Sequence, residues 1–566
     1  MKRLLTALLL LLVGFGMAVV ACTRRSESKQ LNEEVLSLYR QGRYERAGVV
    51  AKKALQAAEQ DSGLDRSDVG TSLNNLALVY CAQGEYALAE PVYKRALAIF
   101  EETFGSDHPL VATTLNNLGE LYRAQGQYAR AESFHKRSVT MAEKALGLDH
   151  SDVARGLNNL GLVYVAQGQY AQAEPLYKRA LAIYEKALGP DHPDVAKSLN
   201  NLGELYRVVG QYAPAEPLYK RSLAIYEKAL GPDHPDVAMV LNNLASLYRD
   251  QGQYPRAEAL FRQSLAIYEK ALGPDHPNVA TNLNNLGSLY RAQGRYAQAE
   301  QLYKRSLTIR EKIFGSEHLE VATSLNNLGE LYNAQGKYAQ AEPLYDRGLA
   351  ICEKALGPDH PNVAAILNNL GELYSVQGRY AQAESVFERA LAIKEKAFGP
   401  DNPDVSTSLN NLGGLYYSQR RYAEAEPFYK RAVAIEEKAV GPDHPDLAAS
   451  LNNLGELCRH QGQYVQAEAL YKRALAIMEK ALGPNYPDVA ISLANLGLVF
   501  EAQGRYEEAE PLYRRALAID EVAYGPNHAN VAADLTNLAV LFRKTNRVNE
   551  AVVIEKRAAA IRAIKR

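Results

Sequence analysis

Apolar and polar positions alternate along this chain in a pattern that returns at a fixed interval. Turning Val153 to Ala166 by about 100° per residue puts Gly156, Leu157, Leu160, Gly161, Val163 and Tyr164 on one arc. Arg155, Asn158, Asn159, Leu162, Val165 and Ala166 fall on the other. The spacing predicts an amphipathic helix whose first arc packs and whose second faces away. Gly168 breaks it, and a second helix is predicted from Tyr170 to Leu188. Gly189-Pro190 then joins a residue free to take positive φ to one that cannot continue a helix. In the following Asp191-His192-Pro193-Asp194, Pro193 fits a first helical position and Asp194 suits the positive end of the dipole. Gly161, Ala173 and Ala180 are small enough to let helices approach, and Tyr164, Tyr170 and Tyr177 fill the space between them.

This helix pair recurs. Asn75-Leu76 returns as Asn117-Leu118 and then every 42 residues to Asn537-Leu538, giving twelve units over residues 69–566. A degenerate unit at 32–68 keeps Gly42, Tyr44, Ala47 and Leu55 at the matching positions. One such pair cannot bury its apolar face alone, whereas stacked neighbours can. The expected fold class is therefore an all-α solenoid in which only adjacent units touch. Repetition also explains a composition of 36 Tyr and no Trp, since most tyrosines sit in the packing columns of Tyr164, Tyr170 and Tyr177.

Leu160-Gly161, Tyr164, Gly168, Tyr170, Ala173, Tyr177 and Ala180 stand at the spacings of the tetratricopeptide repeat. The 42-residue form, with Leu157-Asn158-Asn159-Leu160, Ala173-Glu174-Pro175-Leu176-Tyr177-Lys178-Arg179-Ala180-Leu181 and Leu188-Gly189-Pro190-Asp191-His192-Pro193-Asp194-Val195-Ala196, resembles the repeats of kinesin light chain. The resemblance implies a right-handed superhelix of helix-turn-helix units whose first helices line a concave groove for peptide segments of partner proteins. It does not carry over a motor role, because the heptad-rich segment that joins a light chain to its heavy chain has no counterpart in these residues.

The first residues differ in character. Lys2 and Arg3 precede an apolar run from Leu4 to Ala21, as in a secretory signal peptide. Val19-Val20-Ala21-Cys22 resembles the lipobox of bacterial lipoproteins. The resemblance implies a signal peptide at 1–21, acylation of Cys22 by groups such as palmitate, and an anchor linker at 22–31. Thr23 in place of Asp points to the periplasmic face of the outer membrane. An uncleaved anchor is the alternative, because the apolar run is just long enough to span a bilayer. Cleavage would remove Lys2 and Arg3 and take the net charge from −1 to −3.

The balance of 64 basic against 65 acidic residues gives no footprint for nucleic acid. With 47% hydrophobic residues the chain is not disordered. There is no phosphate-binding glycine loop and no HExxH. Cys81, His135, Cys352, Tyr417, Cys458 and His460 depart from their columns but are scattered, and Cys458 and His460 point to different helix faces. Neither an enzyme nor a cofactor, metal or small-molecule substrate is expected. His108, His150, His192, His234, His276, His318, His360, His444 and His528 share one loop column, interrupted by Asn402 and Tyr486. Loops of successive helix pairs lie about 10 Å apart, too far to converge on one ion, so a turn or capping role is expected.

The outward arc of the first helix is where binding residues are sought. The second Asn of each pair persists as Asn75, Asn117, Asn159, Asn201, Asn243, Asn285, Asn327, Asn369, Asn411, Asn453, Asn495 and Asn537. A row of uncharged carboxamides can pair with the backbone of an extended peptide, or can bond neighbouring helices. Arg123, Arg207, Arg249 and Arg291 share a nearby column, and Arg155 and Lys197 another, whereas later units place Asn333, Ser375, Tyr417 and Glu501 in the first of these. The first half of the groove is expected to be the more basic and to suit an acidic extended segment. Against that, Glu120, Glu204 and Glu456 stand three residues before an Arg, as in ordinary helix decoration. The reading is a non-enzymatic scaffold for protein partners at the cell envelope. The alternative is an architectural or assembly factor for an envelope machine such as a secretion or pilus system.

Overall fold

The computed structural model describes residues 27–60, 66–439 and 441–564. The expected signal peptide at 1–21, Cys22 and the expected linker as far as residue 26 lie outside these. The described residues form 26 helices and no strand, and no helix among them is long and apolar enough to cross a membrane. The first runs Glu27–Arg40, so residues 27–31 open a helix and are not linker. Ser28, Asn32, Val35 and Leu38 are buried at helical spacing, which extends the packed face one turn further back than the repeat pattern indicated.

Each 42-residue unit is a pair such as Ser151–Ala166 with Tyr170–Leu188, or Pro193–Val208 with Tyr212–Leu230. Gly168 and Gly189 close the two helices at φ 66° and 88°. Arg420 and Asn546 take the same left-handed conformation without being glycine. The packing is as the small residues suggested. Tyr177 lies flat on Gly161, where an added Cβ would stand 2.5 Å from the ring. Ala173, Ala180 and Tyr177 are buried.

The described residues divide into two compact units, one of those up to 124 with 133–148, the other of 125–132 with those from 149 onward. In the first, Leu73, Ala96, Phe100, Leu115 and Met141 share one core cluster. Its His135 takes the place of the packing Tyr against Gly119. In the second, clusters such as Leu451, Ala474, Ile477, Leu493, Ala516 and Ile519 join consecutive helix pairs.

The second unit also corrects the expectation that only adjacent repeats touch. Gly126 lies under His360 and Pro361, Gly168 under Asn402 and Pro403, and Gly210 under His444 and Pro445. Gly252 meets Tyr486 and Pro487, and Gly294 meets His528. Every pair from Gly126–His360 to Gly294–His528 is 234 residues apart in sequence, about five and a half units. The coil returns on itself, and loops of one turn press on helix-to-helix turns of the turn before. Tyr128 stacks on Phe398 at 5.5 Å and Tyr254 approaches Tyr524 at 6.4 Å along the same seam. The error came from a rule for straight stacks: small rotations between units accumulate until distant units meet.

The loop column explains both the caps and the seam. All nine of its histidines accept, at Nδ1, the backbone N–H two residues on, as Asp194 donates to His192 at 3.2 Å and Asp446 to His444 at 3.1 Å. The proton is then on Nε2, and in His444 that atom is 3.2 Å from the Val208 carbonyl, one that the end of its own helix leaves without an intrahelical donor. Asn402 does both jobs with a carboxamide: Oδ1 accepts from Asp404 at 2.9 Å and Nδ2 donates to the Gln167 carbonyl. Replacing His192 by Ala, which removes only a cap, should cost about 1 kcal/mol. His444→Ala should cost about twice that, because a buried carbonyl also loses its donor. His444→Asn should restore most of the difference, and urea unfolding of the three variants measures it.

Candidate ligand-binding groove

The second Asn of each unit is half-buried on the first helix, except Asn453, which is exposed. The first Asn is less outward than expected: Asn158, Asn200, Asn284 and Asn368 are buried, and the others of the column are half-buried. The arc was drawn for a lone helix, and the next unit's first helix covers its edge. Asn158 donates to Ser198 Oγ at 2.7 Å, Asn368 to Ser408 at 3.1 Å and Asn410 to Ser450 at 2.7 Å. The second Asn then reaches back to the first Asn of the preceding unit, Asn243 to Asn200 at 3.0 Å, Asn285 to Asn242 at 3.1 Å and Asn369 to Asn326 at 2.8 Å. In the first compact unit Asn75 does the same to Asn32 at 2.7 Å. The result is an amide ladder between helices. Each of these side chains donates at least one bond to the ladder, while among the described residues the Oδ1 atoms of Asn243, Asn285, Asn369 and Asn453 accept no bond within the chain.

The basic columns are paired. Arg123 holds Glu120 at 2.9 Å, Arg155 holds Asp152 at 2.8 Å, Arg249 holds Asp250 at 2.8 Å and Arg291 reaches Glu330 at 3.2 Å. Arg207 bridges Glu204 and Asp250 of the next unit, and Glu204 also accepts from Tyr219 at 2.8 Å. Burial opposes the Arg207 charge, but Glu204 and Asp250 outweigh it and hold the guanidinium above its ordinary range. Lys197, three residues after Asp194 as Arg155 is after Asp152, adds an exposed cation.

Two of the departures, Tyr417 and His460, come together at one place. Tyr417 donates to Glu456 at 3.0 Å, and its ring lies 5.4 Å from His460 and 5.6 Å from Tyr422. Burial works against a charge on Glu456, yet Arg459 and the hydroxyls of Tyr471 and Tyr417 hold it down at about 2. This is a charge-satisfied polar cluster, without an activated nucleophile. The thiols are no better suited: burial pushes Cys81 up to about 12 and Cys352 up to about 11. His135 is buried between Asn116, at 3.1 Å, and Glu120, at 3.5 Å. Among the described residues no group of three His, Cys, Asp or Glu could hold a metal ion.

Sequence profiles of the tetratricopeptide repeat match residues 68–144, 152–228, 205–270, 236–312, 320–396, 363–438, 404–480, 446–521 and 488–563, and a second set matches 32–102 and 284–355. A putative kinesin light chain of Podosopora anserina with nearly identical TPR-like repeats is 29% identical over 36% of this chain and 97% of its own, with a TM-score of 0.31. BtubC (BKLC) from P. vanneervenii is 24% identical over 42% of this chain and 92% of its own, at 0.33. A Rap protein complexed with Competence and Sporulation Factor is 17% identical over 73% of this chain and 99% of its own, at 0.44. No curated protein matches. With the small and aromatic positions packed as the repeat requires, and its profiles matched in every part from residue 32 to 563 save a few residues near 150, the chain belongs to the tetratricopeptide repeat family, a fold of protein interaction scaffolds.

Proposed function

We propose that this chain is a non-enzymatic scaffold that holds an extended segment of a partner protein along its first helices, at the bacterial cell envelope, tethered through acylated Cys22. The observation that carries the groove reading is the set of half-buried Asn243, Asn285 and Asn369, each held by a donated bond in the ladder and each with an Oδ1 that accepts none. Neighbouring units are spaced by about 10 Å, and an extended chain rises about 3.3 Å per residue, so one acceptor would meet every third backbone N–H. Recognition would run through the ligand backbone, with side chains chosen by the variable columns. Because the arginines already hold carboxylates, an acidic ligand would bind by exchange at Arg123, Arg207, Arg249 and Arg291, with Lys197 the readier cation. The stitched turns favour a second reading, a stiff architectural or assembly element between envelope partners.

Crosslinking in the native envelope followed by mass spectrometry would supply the partner. Its affinity should then fall at least tenfold when Asn243, Asn285 and Asn369 are changed together to Ala, with helicity unchanged, since each lost hydrogen bond is worth about 1 kcal/mol. Unchanged affinity would move the site to the convex face. Labelling with a palmitate analogue, lost in Cys22→Ala, tests the anchor, and an unlabelled full-length product overturns it.

A further inference from the structure

The seam of the second unit joins one set of turns to one set of loops, and both sets continue beyond it. The covered turns are those of Gly126, Gly168, Gly210, Gly252 and Gly294. The next ones, at Gly336, Gly378, Gly462 and Gly504, have the same positive φ, but a Cβ there would meet nothing within 4 Å. On the other edge, the side chains of His150, His192 and His234 are 43%, 40% and 38% exposed, against 4% for His444 in the seam.

Apolar positions follow the same division. Phe398 is covered by Tyr128, whereas Leu188 and Leu230, which share its column, are 37% and 38% exposed. Tyr380 shares the column of Tyr128 and is 38% exposed. The charges of the two free edges are opposite. Covered turns carry Gln127, Gln169, Gln211, Gln253 and Arg295, whereas free ones carry Lys337, Arg379, Arg421, Gln463 and Arg505 in that column, so the free edge is the more basic of the two. The free loops carry Asp149, Asp191 and Asp233. Several are paired within the chain, Asp191 with Lys228 and Arg379 with Glu342, so their fields would guide encounter more than hold it.

We propose that a second copy of this chain docks head to tail, its loops at His150, His192 and His234 seating on the free turns from Gly336 to Gly504 of the first. The interface between copies repeats the seam within one: imidazole Nε2 to the end of a first helix, and leucine against turn tyrosine. Since the two edges differ, the contact is heterologous and does not close, so copies add in open rows.

Sedimentation equilibrium of the full chain in density-matched detergent tests this. From about 1 to about 100 µM, the range of weak specific association, the average mass should rise past twice the 62.4 kDa of one chain. A loop-edge variant, Leu188→Arg with Leu230→Arg, and a turn-edge variant, Lys337→Glu with Tyr380→Arg, should each stay monomeric. Mixed together, they should form a one-to-one dimer and nothing larger, because each keeps one intact edge; that dimer also shows both are folded. A wild type that stays monomeric overturns the proposal. So does association that survives in either variant, as it would if the apolar leader caused it, or a mixture that forms no dimer.

Discussion

Replacing Tyr219 by Ala should lower stability by about 3–5 kcal/mol, the cost of deleting a fully buried ring from a packed core. Its ring fills the space left by Gly203, where an added Cβ would come within 3.1 Å, and its side chain is fully buried. Its hydroxyl donates to Glu204 at 2.8 Å, and Glu204 helps to hold Arg207, which reaches Asp250 of the following unit. Ala therefore leaves a cavity and loosens an ion network that joins two repeats. Tyr219→Phe keeps the ring and loses only the hydrogen bond, and should cost about 1 kcal/mol. In a solenoid the stability is close to a sum of unit and interface terms, so the loss should appear locally. Hydrogen exchange should quicken most in Pro193–Val208, Tyr212–Leu230 and Pro235–Asp250, and least in distant repeats. Equal losses for Ala and Phe would show that the hydroxyl network, not the packed ring, carries the energy.

Tyr219 belongs to the part of the fold that was legible in sequence. Glycine, alanine and tyrosine at fixed offsets state how closely two helices approach, and the second helix of the unit at Tyr170–Leu188 has the bounds its pattern indicates. The caps were legible too, since a column of His before Pro or a small residue is a helix start. Contacts across units were not. Asn158 looked exposed because an arc drawn for one helix ignores the helix stacked beside it. Residues of successive first helices meet at separations of 40 and 43, one repeat less two or plus one, as in Asn158 with Ser198, Arg207 with Asp250 and Tyr417 with His460. That offset would have paired Tyr417 with His460 in advance. The seam had a fainter sign. Of the two departures from the His column, Asn402, unlike Tyr486, offers both an acceptor near the backbone and a donor further out, a match to neutral histidine that capping alone does not require.

Stability should fall as pH rises from about 5 to about 8, the reverse of the behaviour expected from salt-bridged carboxylates alone. Glu436 stands in the core column that holds Tyr184 and Tyr226 elsewhere, and burial pushes it up to about 7, with Ser406 and Ser450 pulling the other way. Burial also pushes Asp520 up, and Asp534 still further because of the Asp520 charge. All three are protonated in the fold at a pH where the unfolded chain is ionised. Their contribution is complete below the ordinary carboxylate range and is lost as pH climbs through the folded values. For Glu436 alone the loss is up to about 3 kcal/mol between about pH 4.5 and 7. Glu456 works in the opposite sense: held down at about 2, it stabilises above its ordinary range and loses that effect only as pH falls toward 2. The calorimetric Tm should therefore peak near pH 5. Glu436→Gln removes one source of the slope, so it should match the wild type at pH 5 and melt higher than it at pH 8. A profile as steep as the wild type's would mean that Glu436 is ionised in the fold, and its buried Oε2 would then need a donor that the surrounding repeats do not supply.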